Sequence, residues 1–214
     1  MSEVQVQTPT IYIVDDDRNV GNALARLVSS AGFQVESYSS GDDFIKNYKP
    51  HIAGCVILDV SLGDKNGLDV MRALSAGDRE RPIVFISGKS DIHTGVEAMK
   101  MGAVDFLTKP VSSDELFRAV HSALKKDRLA TQQYEQKKKL KQRLARLTPR
   151  EYQVFSLVIQ GKLNKQIAYQ LGITEKTAKV HRGRVMTKMG ARSVAELVHA
   201  CEEMISVQNT TSMQ

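Results

Sequence analysis

Four apolar runs in the first half of this 214-residue chain each end on a residue that could do chemistry. IYIV (11–14) runs into Asp15, Asp16 and Asp17, CVIL (55–58) into Asp59, PIVFI (82–86) into Ser87, and VDFLT (104–108) into Lys109. Adjacent carboxylates repel and raise one another's pKa unless a positive charge sits between them. Three carboxylates suit a small hard cation such as Mg2+, which keeps several waters and prefers a few carboxylates together with phosphate oxygens. Asp15, Asp16 and Asp59 are therefore the candidate metal ligands, while Asp17, one residue further on, reads as a solvated residue or a helix cap. With Lys109 as a mobile cation, Ser87 as a hydroxyl donor and the bare amide of Gly88, the same pocket would stabilise a phosphoryl group carried on a carboxylate. Singly, each of these residues is more often a plain turn or cap residue. The joint pattern at four strand ends carries the reading.

For these ends to meet, the runs must lie side by side in a parallel sheet. The sequence alternates accordingly. A helix with Val20, Leu24, Leu27 and Val28 on one face ends at Gly32, a weaker strand FQVESY (33–38) follows, and a short helix holds Phe44. After CVILDV (55–60) come a Gly-rich loop (61–67), a helix with Leu68, Val70, Met71 and Leu74, then PIVFIS, then a helix through Val96 and Met99. VDFLT and a helix from about Ser113 complete five alternations, which predict a doubly wound, five-stranded parallel sheet of α/β class with helices on both faces. In such sheets ligands bind beyond the carboxyl ends of the strands, where strand order reverses.

The segments IVDDD, VILDVSLGDKNG, IVFISGK and AVDFLTKP resemble the receiver domain of response regulators, a flavodoxin-like fold, over residues 10–122. The resemblance implies Asp59 as phosphoacceptor, Asp15 and Asp16 as Mg2+ ligands and the Ser61 carbonyl as a further ligand. It also implies Ser87 as the switch hydroxyl, Lys109 as the phosphoryl partner, a cis bond at Lys109-Pro110 and Phe106 as an aromatic rotamer switch. Two features depart from many relatives: Gly63, in a Ser-Leu-Gly loop after Asp59, and the bulky cation Lys89 near the pocket mouth.

Charge divides the chain. Residues 1–122 hold 12 Lys and Arg against 17 Asp and Glu, net −5, and residues 123–214 hold 18 against 7, net +11. An acidic front and a basic back suggest a polyanion partner for the second half. From Ser113 to Leu147 there is no Gly or Pro, so a helical linker (123–146) is expected, with the basic run KKKLKQR (137–143) solvated or touching phosphates. LTPRE (147–151) is a helix start with Thr148 as N-cap, Pro149 at the first position and Glu151 closing a capping box. A second helix starts at Asn164, and Gly172-Ile173-Thr174 turns into a third, which is the helix-turn-helix pattern. At about 100° per residue, Ala178, Val185 and Met189 share the inner face, while Lys176, Lys179, Val180, Gly183, Arg184 and Thr187 share the outer one. Arg182, on the core flank, is expected to pair with Glu151.

This half resembles the four-helix LuxR-type output domain of the FixJ and NarL group, through LTPREYQVF, NKQIAYQLGITEKTAKVHRGRVMTKMGARS and AELVHACEEM. The resemblance implies base contacts from Lys179 and Val180, phosphate contacts from Asn164, Lys165, Thr177, Arg184 and Lys188, and dimer packing by the last helix. The expected boundaries are a receiver over 8–122, an output domain over 147–206 and a disordered tail over 207–214.

Two cysteines without metal spacing, and no secretory signal or long apolar run, lead to the expectation of a soluble cytoplasmic protein with no membrane partner. The function expected is a two-component transcription regulator and not an enzyme. A sensor histidine kinase would donate a phosphoryl group to Asp59, and a phosphorylated homodimer would bind promoter DNA. Two alternatives stand beside it. One is a constitutive DNA-binding regulator whose receiver senses by contact. The other is a Mg2+-dependent aspartyl-phosphate hydrolase, against which Ser61 stands two residues after Asp59, where an acid would be needed.

Overall fold

The structure is a computed structural model and describes residues 8–63, 65–77, 80–88 and 92–201. Lys89, residues 202–206 of the expected output domain and the expected tail over 207–214 lie outside the described residues. The contacts divide the chain into two compact units, one up to Gln132 and one from Gln133.

The first unit alternates strand and helix: β1 (Thr10–Val14), α1 (Arg18–Ser30), β2 (Gln34–Tyr38), α2 (Gly41–Asn47) and β3 (Gly54–Asp59). A small antiparallel ladder, β4 (Ser61–Leu62) with β5 (Lys65–Asn66), occupies the loop after Asp59. Then come α3 (Gly67–Ser75), β6 (Ile83–Ser87), α4 (Ile92–Lys100), β7 (Asp105–Thr108) and α5 (Ser113–Ala145). The large sheet is all parallel in the order β2-β1-β3-β6-β7. Strand order therefore reverses between β1 and β3, and that switch point is where Asp15 and Asp59 end their strands.

The continuous apolarity of the inner strands has a direct cause. Alternate residues point to opposite faces. Tyr12, Val14, Val56, Leu58, Ile83 and Phe85 pack into one buried layer with Phe44 and Leu68, and Ile11, Ile13, Cys55, Ile57, Val84 and Ile86 pack into the other with Val28 and Leu116. A sheet covered on both faces needs apolar residues at every position. β2 lies at the edge and is only partly buried, which accounts for its weaker pattern.

At the amino-terminal edge of this sheet lies a buried ion pair. The guanidinium of Arg81 donates to Asp127 Oδ1 (3.0 Å), Gly54 O (3.1 Å), Pro50 O (3.0 Å), Ile52 O (2.6 Å) and the Tyr48 hydroxyl. All five of its N–H donors are thereby used. Asp127 Oδ2 accepts from the Gly54 amide (2.9 Å). A side chain at Gly54 would put Cβ 1.8 Å from the Thr10 carbonyl oxygen, so only glycine fits. The first unit runs ten residues beyond 122 because Ala123 and Asp127, on α5, are buried in it.

The second unit holds the end of α5 with α6 (Pro149–Ile159), α7 (Asn164–Leu171), α8 (Glu175–Met189) and a helix over 194–201. Thr148 and Glu151 form the expected capping box. Gly172 takes the left-handed conformation (φ +63°) that the tight turn between α7 and α8 requires. Val154, Phe155, Ile167, Ala178, Val185, Met189 and Leu197 make the core, closed on one side by Leu140 of α5. No helix among the described residues is long and apolar enough to cross a membrane.

Candidate functional site

Each apolar strand delivers one polar side chain to the carboxyl edge of the sheet. Asp15 follows β1 and Asp59 ends β3, and both are buried, 3% and 7% exposed. Asp16 is exposed at the rim. One carboxylate oxygen from each of the three lies within 4.8 Å of the others. From the far side, Lys109 Nζ donates to Asp59 Oδ2 (2.6 Å) and Asp15 Oδ2 (2.9 Å). The peptide bond that follows, Lys109-Pro110, is cis.

Burial pushes the Asp15 carboxyl above its ordinary pKa, against the hydrogen bond and charge of Lys109 and with the charge of Asp59. For Lys109 burial acts downward, but the hydrogen bonds and charges of Asp59 and Asp15 outweigh it and hold the ammonium above its usual value. The pocket therefore holds three carboxylates against one ammonium, a donor set of hard oxygens with excess negative charge. That set fits Mg2+, and Asp15, Asp16 and Asp59 are the residues that would hold it.

The surrounding residues fix these groups. Asp17 caps α1, accepting from the amides of Asn19 (2.8 Å) and Val20 (3.4 Å), while its own amide donates to Asp15 Oδ1 (2.9 Å). The Ser61 amide donates to Asp59 Oδ1 (3.3 Å). Ser87 is fully buried at the end of β6 and pairs in register with Thr108, next to Lys109. Phe106 is half-buried, its ring 6.4 Å from that of Phe85.

Three residues at this edge escaped the sequence reading. Gly67 must lack a side chain, because a Cβ there would come 2.4 Å from the Asp59 carbonyl oxygen and 3.0 Å from the Phe85 ring. Gly95, on α4, faces Phe106, whose ring atoms lie 3.3 Å from where its Cβ would be. Arg18, three residues after Asp15, lines a cleft of about 240 Å³ with Asp15, Asn22, Ser37, Tyr38 and Ser39. Spacing from Asp15 was the available signal for Arg18. None existed for the two glycines, whose constraint comes from other strands and helices.

In the second unit the outer face of α8 forms an open groove of about 630 Å³ lined by Lys176, Lys179, Val180, Gly183, Arg184, Thr187 and Lys188. Val180 is exposed, whereas Ala178, Val185 and Met189 are buried beneath it. Thr177 and Lys165 lie on the first turns of α8 and α7, where Thr177 accompanies the Thr174 cap and Lys165 is exposed. Two partners differ from expectation. Arg182 donates to Asn164 Oδ1 (3.0 Å) and not to Glu151. Glu151 lies in the first turn of α6, beside the last turn of α8, so the cation in reach is Lys188, which donates to its carboxylate (2.6 Å) and to the Arg146 carbonyl (3.1 Å). The Lys188 hydrogen bond and the Thr148 amide hold the Glu151 carboxyl down at about 2.

Residues 11–121 match the response regulator receiver domain, and residues 145–201 match the bacterial regulatory proteins of the luxR family. The chain belongs to the response regulators of the FixJ/NarL type. This regulator is 45% identical to the response regulator protein TmoT of Ectopseudomonas mendocina, over 92% of its own length and 90% of that protein. It is 36% identical to the transcriptional regulatory protein FixJ of Azorhizobium caulinodans, over 88% and 89% of the two chains. Among solved structures, the response regulator StyR superposes with a TM-score of 0.81 at 41% identity, covering 92% of the regulator and 99% of that chain. Full-length FixJ from B. japonicum gives a TM-score of 0.56 at 36% identity, covering 91% and 96%. Each of these matches runs across both halves of the regulator. The regulator is thus a receiver joined to a LuxR-type DNA-binding domain.

Proposed function

We propose that the regulator is switched by phosphorylation of Asp59 and, once phosphorylated, binds promoter DNA as a homodimer in the cytoplasm. The observation that carries this is the convergence of Asp15, Asp16, Asp59 and Lys109 at the strand-order reversal, since no structural requirement places three carboxylates there. A phosphohistidine of a sensor kinase is the donor. An Asp59 carboxylate oxygen attacks phosphorus, the phosphorus–nitrogen bond breaks and the imidazole leaves to take up a proton, so the phosphoryl group ends as an acyl phosphate. Asp15, Asp16, Asp59 and the Ser61 carbonyl would hold Mg2+, which when bound would neutralise phosphoryl and carboxylate charge.

Lys109 has three N–H donors and spends two on Asp59 and Asp15, so one is left for a phosphoryl oxygen on Asp59. Ser87 then supplies its hydroxyl from the neighbouring strand end, and Phe106, packed over Gly95, turns with it. DNA is read by Lys179 and Val180, with phosphate contacts from Lys176, Thr177, Arg184, Lys165, Asn164 and Lys188. A two-fold site with half-sites about one helical turn apart is expected. Hydrolytic turnover is not its role, because Ser61 offers no general acid or base beside Asp59.

The test is intact mass after incubation of the wild type and Asp59→Asn with a small phosphoryl donor and Mg2+. Wild type gains one phosphoryl group, chelator abolishes the gain, and the variant gains none. A gain in both proteins, or in neither while a sensor kinase also fails to modify the wild type, sinks the reading.

A further inference from the structure

Between Glu135 and Glu151 the chain carries seven cations, Lys137, Lys138, Lys139, Lys141, Arg143, Arg146 and Arg150, and no acid. Among the described residues none of the four lysines has an acidic partner. Spacing makes this costly for the helix. Lys137 and Lys141, Lys139 and Arg143, and Lys138 and Lys141 are like-charge neighbours three or four apart, which destabilise a helix. Favourable charge at a helix carboxyl terminus does not explain them, because that effect fades within the last turn and Lys139 lies six residues before the end at Ala145.

The end of α5 is fixed against the groove of α8. Leu140 and Leu144 enter the core with Val185 and Met189. Arg143 Nη1 donates to the Met189 carbonyl (2.8 Å), and its guanidinium packs where Gly190 has no side chain, 3.1 Å from the Cβ position. Arg146 receives Lys188, one of the groove-lining residues, on its carbonyl. At about 100° per residue, Lys139 lies about 40° from Arg143, on the α8 side of the helix and about 6 Å further along it. Lys138 lies about 140° from Arg143 and at least about 120° from Leu140 and Leu144, on the other side.

We propose that Lys139 extends the groove of α8 into a second, sequence-independent contact with a phosphate of the DNA strand flanking the base-reading helix. An α-helix in the major groove is bordered by both phosphate backbones, and α5 meets α8 at the border that Lys188 occupies. The inference rests on the reading of α8 as the DNA-contacting helix. It adds a contact from outside the helix-turn-helix, made by the segment that joins the two units.

The experiment is the salt dependence of binding to a 30-base-pair mixed-sequence duplex by the full-length phosphorylated protein. Each lost phosphate contact lowers the slope of log K against log salt by about 0.9. Lys139→Gln removes one contact from each protomer of the dimer and is expected to lower the slope by about twice that amount, whereas Lys138→Gln is expected to leave it unchanged. Helicity by circular dichroism checks that both variants keep α5. An unchanged slope in Lys139→Gln, or an equal fall in both variants, overturns the proposal, the second outcome marking a diffuse charge effect. If Arg184→Gln and Lys179→Gln leave binding intact as well, the reading of α8 itself fails.

Discussion

The two ends of one parallel sheet carry two ion clusters with opposite bookkeeping. At the amino end, Arg81 spends all five donors, Asp127 answers its charge, and both side chains are sealed, 1% and 2% exposed. At the carboxyl end, Lys109 is 26% exposed and faces two buried carboxylates with a third at the rim. The first cluster is neutral and has no donor left over. The second has excess negative charge and an ammonium that can change partners. A cluster that only holds a fold together saturates its groups, and one that must bind and release charge leaves them short.

Breaking the saturated cluster should have the largest effect. Asp127→Ala leaves the Arg81 guanidinium buried without its counter-ion, and about 3–5 kcal/mol of stability should be lost. Hydrogen exchange at the β3 amides reads this loss, whereas Asp59→Ala, which removes one of three repelling carboxylates, should protect the same amides as well as the wild type does. Equal losses in the two variants would erase the distinction between the clusters.

Adding a cation should separate them again by a smaller amount. Mg2+ at ten times its dissociation constant should stabilise the first unit by about 1.4 kcal/mol. The Tm measured by calorimetry should rise in the wild type and in Arg182→Gln, and stay fixed in Asp15→Asn. A rise in Asp15→Asn would place the ion elsewhere.

Glu151 sharpens the comparison from the second unit. Like Asp127 it is saturated, by Lys188 and by the Thr148 amide, and its carboxyl is held at about 2. A carboxyl depressed in the folded state stabilises it above the unfolded pKa of about 4.3 and loses that contribution as pH falls toward 2. Acid titration of the helical signal of the second unit should therefore show a loss over that window, and Glu151→Gln should flatten it.

The carboxyl-end cluster was legible in sequence because each member closes an apolar run, and a strand's last residue is a position that one-dimensional reading can find. The amino-end cluster was not. Arg81 and Asp127 lie 46 residues apart and meet only through the packing of α5 on the sheet. A signal did exist. Leu116, Val120 and Ala123 define the buried stripe of α5, and Asp127 falls on its next position, where a charge needs a partner. Following that stripe would have tied the start of α5 to the sheet as far as Asp127. For α8 the helical wheel sorted the inner and outer faces, because burial depends on angle alone. It gave the wrong partner to Glu151, because angle along α8 carries no information about which turn lies beside α6.

The sheet also decides what the regulator ignores. Cys55 is enclosed beside Asp127, and burial, reinforced by that carboxylate, pushes its thiol up to about 12; Cys201 is likewise buried and raised by burial. Oxidants and electrophiles attack thiolates, and at neutral pH neither side chain presents one. With no other sulfhydryl in the chain, no cysteine offers a ready thiolate to an electrophile at neutral pH. One thiol is sealed by the sheet and the other by the helices of the second unit.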